Sequence, residues 1–279
     1  MLRAIEIVNK RTIEKPMSNL SEYVAELKTN ELIYSKSWVS NVISALGKSF
    51  KIACYKSKLK YTKENIIRYL NYVSGMNDLL QTIPIHKLKF LDESHFVSRS
   101  LYRRKGVAPK GKRLIVVNNT KPLDYSFSLT MMTTLDHDIP IIGSLREKSN
   151  NQFDFIHFIC ESIQGGFLKK GDYLVMDNAS VHSGQEIFDV LLKIAQKAEF
   201  TVLFLPCYSP ELNPCEQIFS AIKTHLRTNR PLDGDHAFWV SIVKAMSTIT
   251  HQMVLNFYYH CLYNYQEDLE ACIHKEDGQ

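Results

Sequence analysis

Two short apolar segments that each run directly into an acidic residue constrain the fold of this chain more than any other feature. Phe90-Leu91 precedes Asp92, and Val175-Met176 precedes Asp177. Apolar runs of this kind are typical of strands that are buried on both faces of a sheet. In α/β sheets, the groups that handle ligands collect at the carboxyl ends of strands. If the two strands are neighbours, we therefore expect Asp92 and Asp177 to lie side by side.

The residues around these segments predict an α/β domain, because extended segments are followed by alternating helices and strands. The predicted strands are 87–92, 114–117, 125–133, 139–142, 173–176 and 200–205. The predicted helices are 153–163, 187–198 and 213–227, followed by a helical region at 236–265. We expect the sheet domain to occupy 83–235 and a C-terminal helical extension to occupy 236–279.

The first 82 residues are predicted to be helical. One helical face carries four apolar residues, Leu20, Tyr23, Val24 and Leu27. A second helix is predicted between a serine start at Ser35 and a glycine stop at Gly47, with an apolar stripe over 38–46. Two helices joined in this way are typical of a partial helix-turn-helix over 20–47, although an ordinary helical hairpin fits the same pattern. A further helix over 63–73 is predicted to link the N-terminal region, 1–82, to the sheet domain.

Basic residues are concentrated in one part of the chain. The formal net charge of +5 is ordinary for a soluble protein of 279 residues. Between Ser94 and Leu123, however, the sequence contains no acidic residue and eight basic ones: Arg99, Arg103, Arg104, Lys105, Lys110, Lys112, Arg113 and Lys121. Both a surface that contacts a polyanion and an ordinary solvated loop fit this distribution.

The cysteine pattern argues against a disulfide scaffold and against a standard zinc site. The six cysteines include no CxxC pair, so we expect reduced, buried thiols and an intracellular location. The first residues lack the apolar run of a signal peptide, and no stretch reaches about 18 uninterrupted apolar residues. We therefore expect no membrane span.

Paired carboxylates predict a site for a divalent cation. Two carboxylates that lie side by side repel each other unless a cation neutralises them, and oxygen ligands of this kind suit Mg²⁺ or Mn²⁺. Glu93, the neighbour of Asp92, is expected to point to the opposite face of its strand. We expect His95 to approach the same site.

A proline-rich segment that ends at Glu216 supplies a third acidic residue. Asn213 and Pro214 are typical of a helix N-terminus, and Glu216 then falls at the third helical position. This is a capping-box arrangement, so a purely structural role explains Glu216 as well as a metal-binding role does. Glu216 also shares a polar helix face with Lys223 and Arg227, which would suit contact with a phosphate backbone.

Three motifs together resemble those of the DDE transposases of the mariner superfamily and of their bacterial insertion-sequence relatives. The first is Phe90-Leu91-Asp92-Glu93-Ser94-His95-Phe96, and the second is Val175-Met176-Asp177-Asn178-Ala179-Ser180-Val181-His182. The third is the Tyr-Ser-Pro-x-Leu-Asn-Pro-x-Glu run that ends at Glu216. The motifs occur in the order found in the family, and 38 residues separate the second acid from the third.

The resemblance implies a ribonuclease-H-like mixed sheet flanked by helices, with a small all-α helix-turn-helix region at the N-terminus. It implies that Asp92, Asp177 and Glu216 are catalytic and hold two Mg²⁺ or Mn²⁺ ions, with Asn178 and His182 in supporting roles. The implied activity is hydrolysis and strand transfer of double-stranded DNA at transposon ends, with insertion at TA targets. The resemblance further implies a homodimer that works on inverted repeats and target DNA, without a small-molecule cofactor.

DNA contacts are predicted in three parts of the chain: the recognition helix with the lysines behind it, the basic segment, and the polar face of the third-motif helix. The predicted contact residues are Ser37, Asn41, Lys48, Lys51, Arg103, Arg104, Lys105, Lys223 and Arg227.

The chain departs from the family pattern at its N-terminus. Family members usually carry two helix-turn-helix units joined by a basic Gly-Arg-Pro-Arg type link. Only one unit is recognisable here, so either a unit was lost or the start is internal to a longer gene. Two alternatives stay open, a truncated or domesticated DNA-binding protein without cleavage activity and an unrelated metal-dependent nuclease of the same fold. We expect nuclear localisation in a eukaryotic host, which is favoured, and otherwise a cytoplasmic location with the nucleoid.

Overall fold

A computed structural model describes residues 1–51, 57–98, 125–147, 152–177, 185–229 and 235–263. The chain falls into two compact units, Met1–Lys56 and Ser57–Gln279. The division between these units therefore lies well before the domain boundary that we predicted at residue 82. No helix in the described ranges is long and apolar enough to cross a membrane.

Over residues 1–51, the first unit is a group of three helices around a small apolar core. These are α1 (Leu2–Glu14), α2 (Leu20–Thr29) and α3 (Lys36–Ala45). The core consists of Ala4, Val8, Tyr23, Leu27, Val39 and Ile43. Helices α2 and α3 correspond to the predicted helical pair, whereas α1 lies in the region predicted to be helical but was not delimited as a helix of its own.

The ends of α2 and α3 are set by side-chain caps and by one glycine. Asn19 and Glu22 form a capping box at the start of α2. At the start of α3, the Ser35 hydroxyl accepts a hydrogen bond from the Trp38 N–H at 3.1 Å. Gly47 follows α3 with a φ of 71°, a left-handed conformation that only glycine adopts without strain. The predicted serine start and glycine stop of α3 are confirmed.

In its described residues, the second unit is built on a five-stranded mixed sheet with the strand order β3-β2-β1-β4-β5. The strands are β1 (Leu88–Val97), β2 (Ser126–Thr133), β3 (Ile141–Arg146), β4 (Tyr173–Met176) and β5 (Thr201–Phe204). Strand β1 pairs antiparallel with β2 and parallel with β4. The prediction of an α/β sheet is therefore confirmed, while the strand predicted at 114–117 lies outside the described residues.

Six helices of this unit are described. They are α4 (Lys63–Thr82), α5 (Gln152–Gln164), α6 (Gln185–Ala198), α7 (Pro214–Asn229), α8 (Asp235–Met246) and α9 (His251–Tyr263). The sequence predicted one helical region at 236–265, and the structure has two helices there, α8 and α9. Hydroxyl side chains explain the break, because Thr248 donates to the Ala245 carbonyl at 2.7 Å and Thr250 accepts from the Met253 N–H at 3.3 Å.

Each face of the sheet carries its own apolar core, because successive side chains of a strand point to opposite faces. Phe90 belongs to the core that also contains residues of α4, α7, α8 and α9. Leu91 belongs to the core that contains residues of α5 and α6. Helix α4 contributes Tyr69 and Val73 to the first core, and α9 contributes Tyr258. The helices predicted as a linker and as an extension are therefore parts of the sheet domain.

Strand β1 is longer than predicted, and this difference positions the site. It was expected to end at Asp92, but it continues to Val97. Its parallel pairing with β4 stops at the pair Leu91–Met176, whereas its antiparallel pairing with β2 continues to the end of the strand. Asp92 therefore lies in the middle of β1, at the point where the neighbour β4 ends.

A buried ionic cluster lies near the other end of β1. The side chain of Lys89 is completely buried and donates to the His86 carbonyl at 2.8 Å and to the Thr134 hydroxyl at 2.9 Å. It also forms an ion pair with Asp136 and lies 3.9 Å from a carboxylate oxygen of Asp172, which is itself buried. Burial lowers the pKa of Lys89, and the two carboxylates oppose this shift.

We predict that Lys89→Met lowers the free energy of unfolding of the sheet domain by about 3 kcal/mol. Breaking a buried pair leaves an uncompensated charge, and Lys87 and Lys169 still contact the two aspartates, which keeps the cost near the lower end of the usual range. Urea unfolding followed by Trp239 fluorescence in a Trp38→Phe background reports this domain, because the chain has two tryptophans.

Lys170→Met is the matched control. Lys170 pairs with Glu199 on the surface, where both side chains are more than half exposed, so its loss should change the free energy of unfolding by less than about 0.5 kcal/mol. Equal, small changes for the two variants would contradict the structural role of the buried cluster.

Candidate active site

A pocket of about 350 Å³ opens where β1 loses its neighbour β4. Four segments line it: the middle of β1, the end of β4, the loop that leads from β5 towards α7, and the first turn of α7. The lining residues are Asp92, Asp177, Leu205, Pro206, Cys207, Tyr208, Ser209, Pro210, Asn213 and Glu216. The three acidic residues singled out from the sequence are thus brought to one pocket.

Asp92 is the most buried of the three acids, with 8% of its surface exposed. One carboxylate oxygen accepts a hydrogen bond from the Glu93 N–H at 2.7 Å, and the other accepts one from the Asn213 side-chain amide at 2.8 Å. Burial raises the pKa of Asp92 to about 7; the Glu93 N–H opposes this shift, and the charges of Asp177 and Glu216 add to it. The pocket therefore holds mutually repelling carboxyl groups near neutral pH.

Asp177 follows β4 directly and is half-buried. Because Leu91 of β1 is paired with Met176 of β4, Asp92 and Asp177 each come one residue after members of the same pair. The expected adjacency of the two strands is confirmed.

Glu216 is the third residue of α7 and is exposed. In a capping box, its side chain would accept a hydrogen bond from the Asn213 N–H. That N–H instead donates to the Pro210 carbonyl at 3.0 Å. The start of α7 is capped by the Asn213 side chain, whose oxygen accepts from the Cys215 N–H at 3.1 Å. The arrangement therefore differs from the capping box that offered a purely structural explanation of Glu216.

The loop before α7 is conformationally restricted. Tyr208 has a φ of 60°, a left-handed conformation that costs a non-glycine residue about 1–3 kcal/mol. The loop continues into a short 3-10 helix, Pro210–Leu212, whose Glu211 forms an ion pair with Lys60. Strained backbone of this kind persists only where the surrounding structure holds it, and it is frequent at functional sites.

The donor set of the pocket fits a hard divalent cation by its chemistry. Asp92, Asp177 and Glu216 offer carboxylate oxygens, which Mg²⁺ and Mn²⁺ prefer. A cation would relieve the repulsion that Asp177 and Glu216 add to the effect of burial on the pKa of Asp92. In the described part of the chain, no three His, Cys, Asp or Glu side chains are grouped closely enough to hold a metal ion. The three carboxyl groups of the pocket are therefore more widely spaced than the ligands of a bound ion.

Lys223 lies two turns beyond Glu216 on α7 and contacts β1. Its ammonium group donates to the Ser94 hydroxyl at 2.8 Å and lies 5.1 Å from the centre of the Phe96 ring. Burial lowers the pKa of Lys223, whereas the charge of Glu216 raises it. Arg227 is exposed one turn further along the same helix. Positive charge therefore begins beside the acidic pocket and continues along α7.

In the first unit, three of the four predicted DNA-contact residues are exposed: Ser37, Asn41 and Lys51. Lys48 differs, because its ammonium group donates to Asn9 at 2.8 Å and to Thr12 at 2.6 Å, both on α1. This structural role competes with the predicted phosphate contact.

Glu93 and His95 lie away from the pocket, and several predicted site residues lie outside the described residues. Glu93 accepts from the Thr130 hydroxyl at 3.2 Å on the opposite face of the sheet, as expected. His95 lies on that same face, with ring nitrogens 3.0 Å from the Ser128 hydroxyl and 2.5 Å from that of Ser126, so the expectation that it approaches the site was wrong. Outside the described residues lie Asn178, His182, Arg103, Arg104 and Lys105.

Asn213 is the residue whose role at the site the sequence interpretation missed. It was predicted only as the cap of α7, yet its amide group also donates to Asp92. The choice of asparagine was the available signal. Serine and aspartate also cap helices, but asparagine differs from them in having a side-chain N–H that can donate a hydrogen bond.

The fold and the acidic pocket define a nuclease-like α/β domain, and the family comparison agrees with this class. The model of the DDE superfamily endonuclease family matches residues 87–238, which is more than half of the chain. The chain therefore belongs to the DDE superfamily endonucleases. No curated protein matches the sequence significantly.

Solved structures of Mos1 mariner transposase share the fold. The paired-end complex with the left transposon end matches with a TM-score of 0.70 and 14% identity, covering 96% of this chain and 78% of the Mos1 chain. The strand transfer complex matches with a TM-score of 0.67 and 16% identity, over 99% and 78% of the two chains. The Mos1 catalytic domain alone matches with a TM-score of 0.55 and 12% identity, over 79% and 98%. The predicted ribonuclease-H-like fold is thereby confirmed.

We predict that the affinity of the metal-free protein for Mn²⁺ falls as the pH is lowered below about 7. Protonation of Asp92 competes with the cation because the pKa of this carboxyl group is raised to about 7, so one competing proton weakens binding by about tenfold per pH unit at lower pH. Titration of Mn²⁺ between pH 8 and pH 5.5, with free Mn²⁺ followed by its electron paramagnetic resonance signal, measures this dependence.

Asp92→Asn serves as the control for that titration. The variant should bind Mn²⁺ more weakly at pH 8 and show a shallower dependence on pH, because the competing proton site is removed. An affinity of the unaltered protein that stays constant between pH 8 and pH 6 would contradict the prediction.

Proposed function

We propose that this protein is a DNA transposase of the mariner type, which hydrolyses a phosphodiester bond at a transposon end and joins the freed end to target DNA. The observation that supports the proposal most strongly is that acids from β1, from the end of β4 and from α7 line one pocket in a DDE superfamily endonuclease. The likeness of the whole chain to Mos1 complexes with DNA adds support.

In this proposal, Asp92, Asp177 and Glu216 hold two divalent ions. Bound there, the ions would supply activation of the attacking water or 3′-hydroxyl and charge stabilisation at the leaving oxygen of an in-line displacement. The protein keeps the carboxylates in place: Asn213 holds Asp92 by a hydrogen bond, and the rigid proline-rich loop forms one wall of the pocket. Partial burial of the pocket strengthens each of these electrostatic interactions.

DNA would be held by both units. Lys223 and Arg227 extend positive charge from the pocket along α7, which suits a phosphate backbone that leads to the scissile bond. On α3, Ser37 and Asn41 are exposed and would read base edges in the major groove, while Lys51 would contact a phosphate. Inverted repeats as substrate, TA targets and a homodimer are proposed by analogy with the family.

We predict that the purified full chain nicks duplex DNA with Mg²⁺ or Mn²⁺, and that Asp92→Asn, Asp177→Asn and Glu216→Gln each lower the rate by about 100-fold or more while duplex binding is retained. Glu93→Gln is the matched control, because Glu93 neighbours Asp92 but lies on the opposite face of the sheet. Gel assays of nicking and of mobility shift, run on the same preparations, separate the two properties.

Three outcomes of this assay distinguish the candidate functions. Nicking with formation of a joined product supports the transposase. Nicking without any joined product under either metal indicates a nuclease of the same fold. Duplex binding without nicking indicates a transposase-derived DNA-binding protein and overturns the enzymatic proposal.

We further predict that Lys223→Ala combined with Arg227→Ala makes DNA binding less sensitive to salt. Each lost phosphate contact lowers the slope of log K against log salt concentration by about 0.9, so the double variant should lose about 2 from that slope. Fluorescence anisotropy of a labelled duplex at several salt concentrations measures the slope. The control is Lys170→Ala, because Lys170 precedes β4 at the end of the strand opposite the pocket. If the double variant and the control have the same slope, Lys223 and Arg227 do not contact phosphates.

A further inference from the structure

The side chain of Asn213 uses both ends of its amide group in a buried position. With 2% of its surface exposed, it accepts a hydrogen bond from the Cys215 N–H at 3.1 Å and donates one to Asp92 at 2.8 Å. One side chain thus caps the helix that carries Glu216 and holds the carboxylate of a strand residue.

A second contact ties the same helix turn to the same strand. The thiol of Cys215, which is completely buried, donates to the Phe90 carbonyl at 3.4 Å. The first turn of α7 is therefore joined to β1 at Phe90 and again at Asp92. Since Glu216 belongs to this turn, its backbone position relative to Asp92 depends on these two contacts.

The chemistry of the amide group suits this double role. A carboxylate has about four lone-pair positions, so the hydrogen bond from Asn213 orients the Asp92 carboxylate and still leaves positions for a cation. A serine or threonine at the same place would supply the acceptor for the helix but would be too short to donate to Asp92. An aspartate would place a further negative charge against Asp92.

We infer that Asn213 is a positioning residue of the acidic site: it orients the Asp92 carboxylate for a divalent cation and, through the start of α7, sets Glu216 in relation to it. This role rests on the proposed function, because it concerns the same site. Partners that orient a metal ligand typically change metal affinity by 10- to 100-fold when they are removed.

The test compares Mn²⁺ affinity with stability in variants of the full chain. Asn213→Ser and Asn213→Thr retain a hydroxyl acceptor for the Cys215 N–H, and hydroxyl side chains are good helix caps, but both lose the donor to Asp92. Ile222→Val is the matched control, because it removes one buried methylene from α7 without altering a polar contact of the site. Thermal unfolding without metal and titration with Mn²⁺ are measured for each variant.

We expect Asn213→Ser and Asn213→Thr to bind Mn²⁺ about 10- to 100-fold more weakly than the unaltered protein, while their melting temperatures stay near that of Ile222→Val. The control should bind Mn²⁺ as the unaltered protein does. Unchanged Mn²⁺ affinity in either Asn213 variant would overturn the inference. An equally large loss of affinity in Ile222→Val would also overturn it, because the effect would then follow stability.

Failure of this role and failure of the proposed function give different results. Weakened Mn²⁺ binding in Asp92→Asn together with unchanged binding in Asn213→Ser rejects only the positioning role. If Asp92→Asn binds Mn²⁺ as tightly as the unaltered protein does, the metal site itself is rejected, and with it the proposed function.

Discussion

Asp92 carries a carboxyl group that is buried in the same pocket as two further carboxyl groups, and the arrangement of the sheet domain around the pocket follows from how this group is held. Burial and the charges of Asp177 and Glu216 work against its ionised form. Two hydrogen bonds, from the Glu93 N–H and from Asn213, support the charge without using all of its lone pairs. Each oxygen of Asp92 therefore has one hydrogen-bond partner and a lone pair left over, which the cation proposed above would use.

The topology of the sheet creates the space for such a cation. Strand β1 has ten residues and β4 has four, and their parallel pairing ends at Leu91 and Met176. Beyond that pair, β1 is still hydrogen-bonded to β2, so Asp92 lies on a rigid strand. The edge of β1 that faces β4 has no paired residue of β4 there, and the pocket lies on this side. Asp177 leaves the end of β4 at the same level, and the loop before α7 closes the pocket from a third direction. The difference in strand length therefore places the acids together and leaves room between them.

Local features of the sequence predicted much of this arrangement, and contacts between distant segments account for what was missed. The ends of α3 at Ser35 and Gly47 follow from capping chemistry within a few residues, and alternation along a strand placed Glu93 on the far face. The continuation of β1 depends on pairing with β2, which lies beyond a long intervening segment. The second hydrogen bond of Asn213 joins residues 121 positions apart, so capping rules alone describe only half of its role.

Lys89 and Asp92 are two buried charges on the same strand whose surroundings differ in sign. Both are buried ionisable residues on β1, and burial shifts the pKa of each toward the neutral form. Around Lys89 the protein supplies the partners: a carbonyl, a hydroxyl and two carboxylates of opposite charge. Around Asp92 the charges of Asp177, Glu216 and Glu93 have its own sign, and the nearby ammonium group of Lys223 donates to Ser94 rather than to Asp92. A cation bound in the pocket would supply the compensating charge. A site built for stability alone would pair Asp92 as Lys89 is paired, so the unbalanced charge argues for ligand binding.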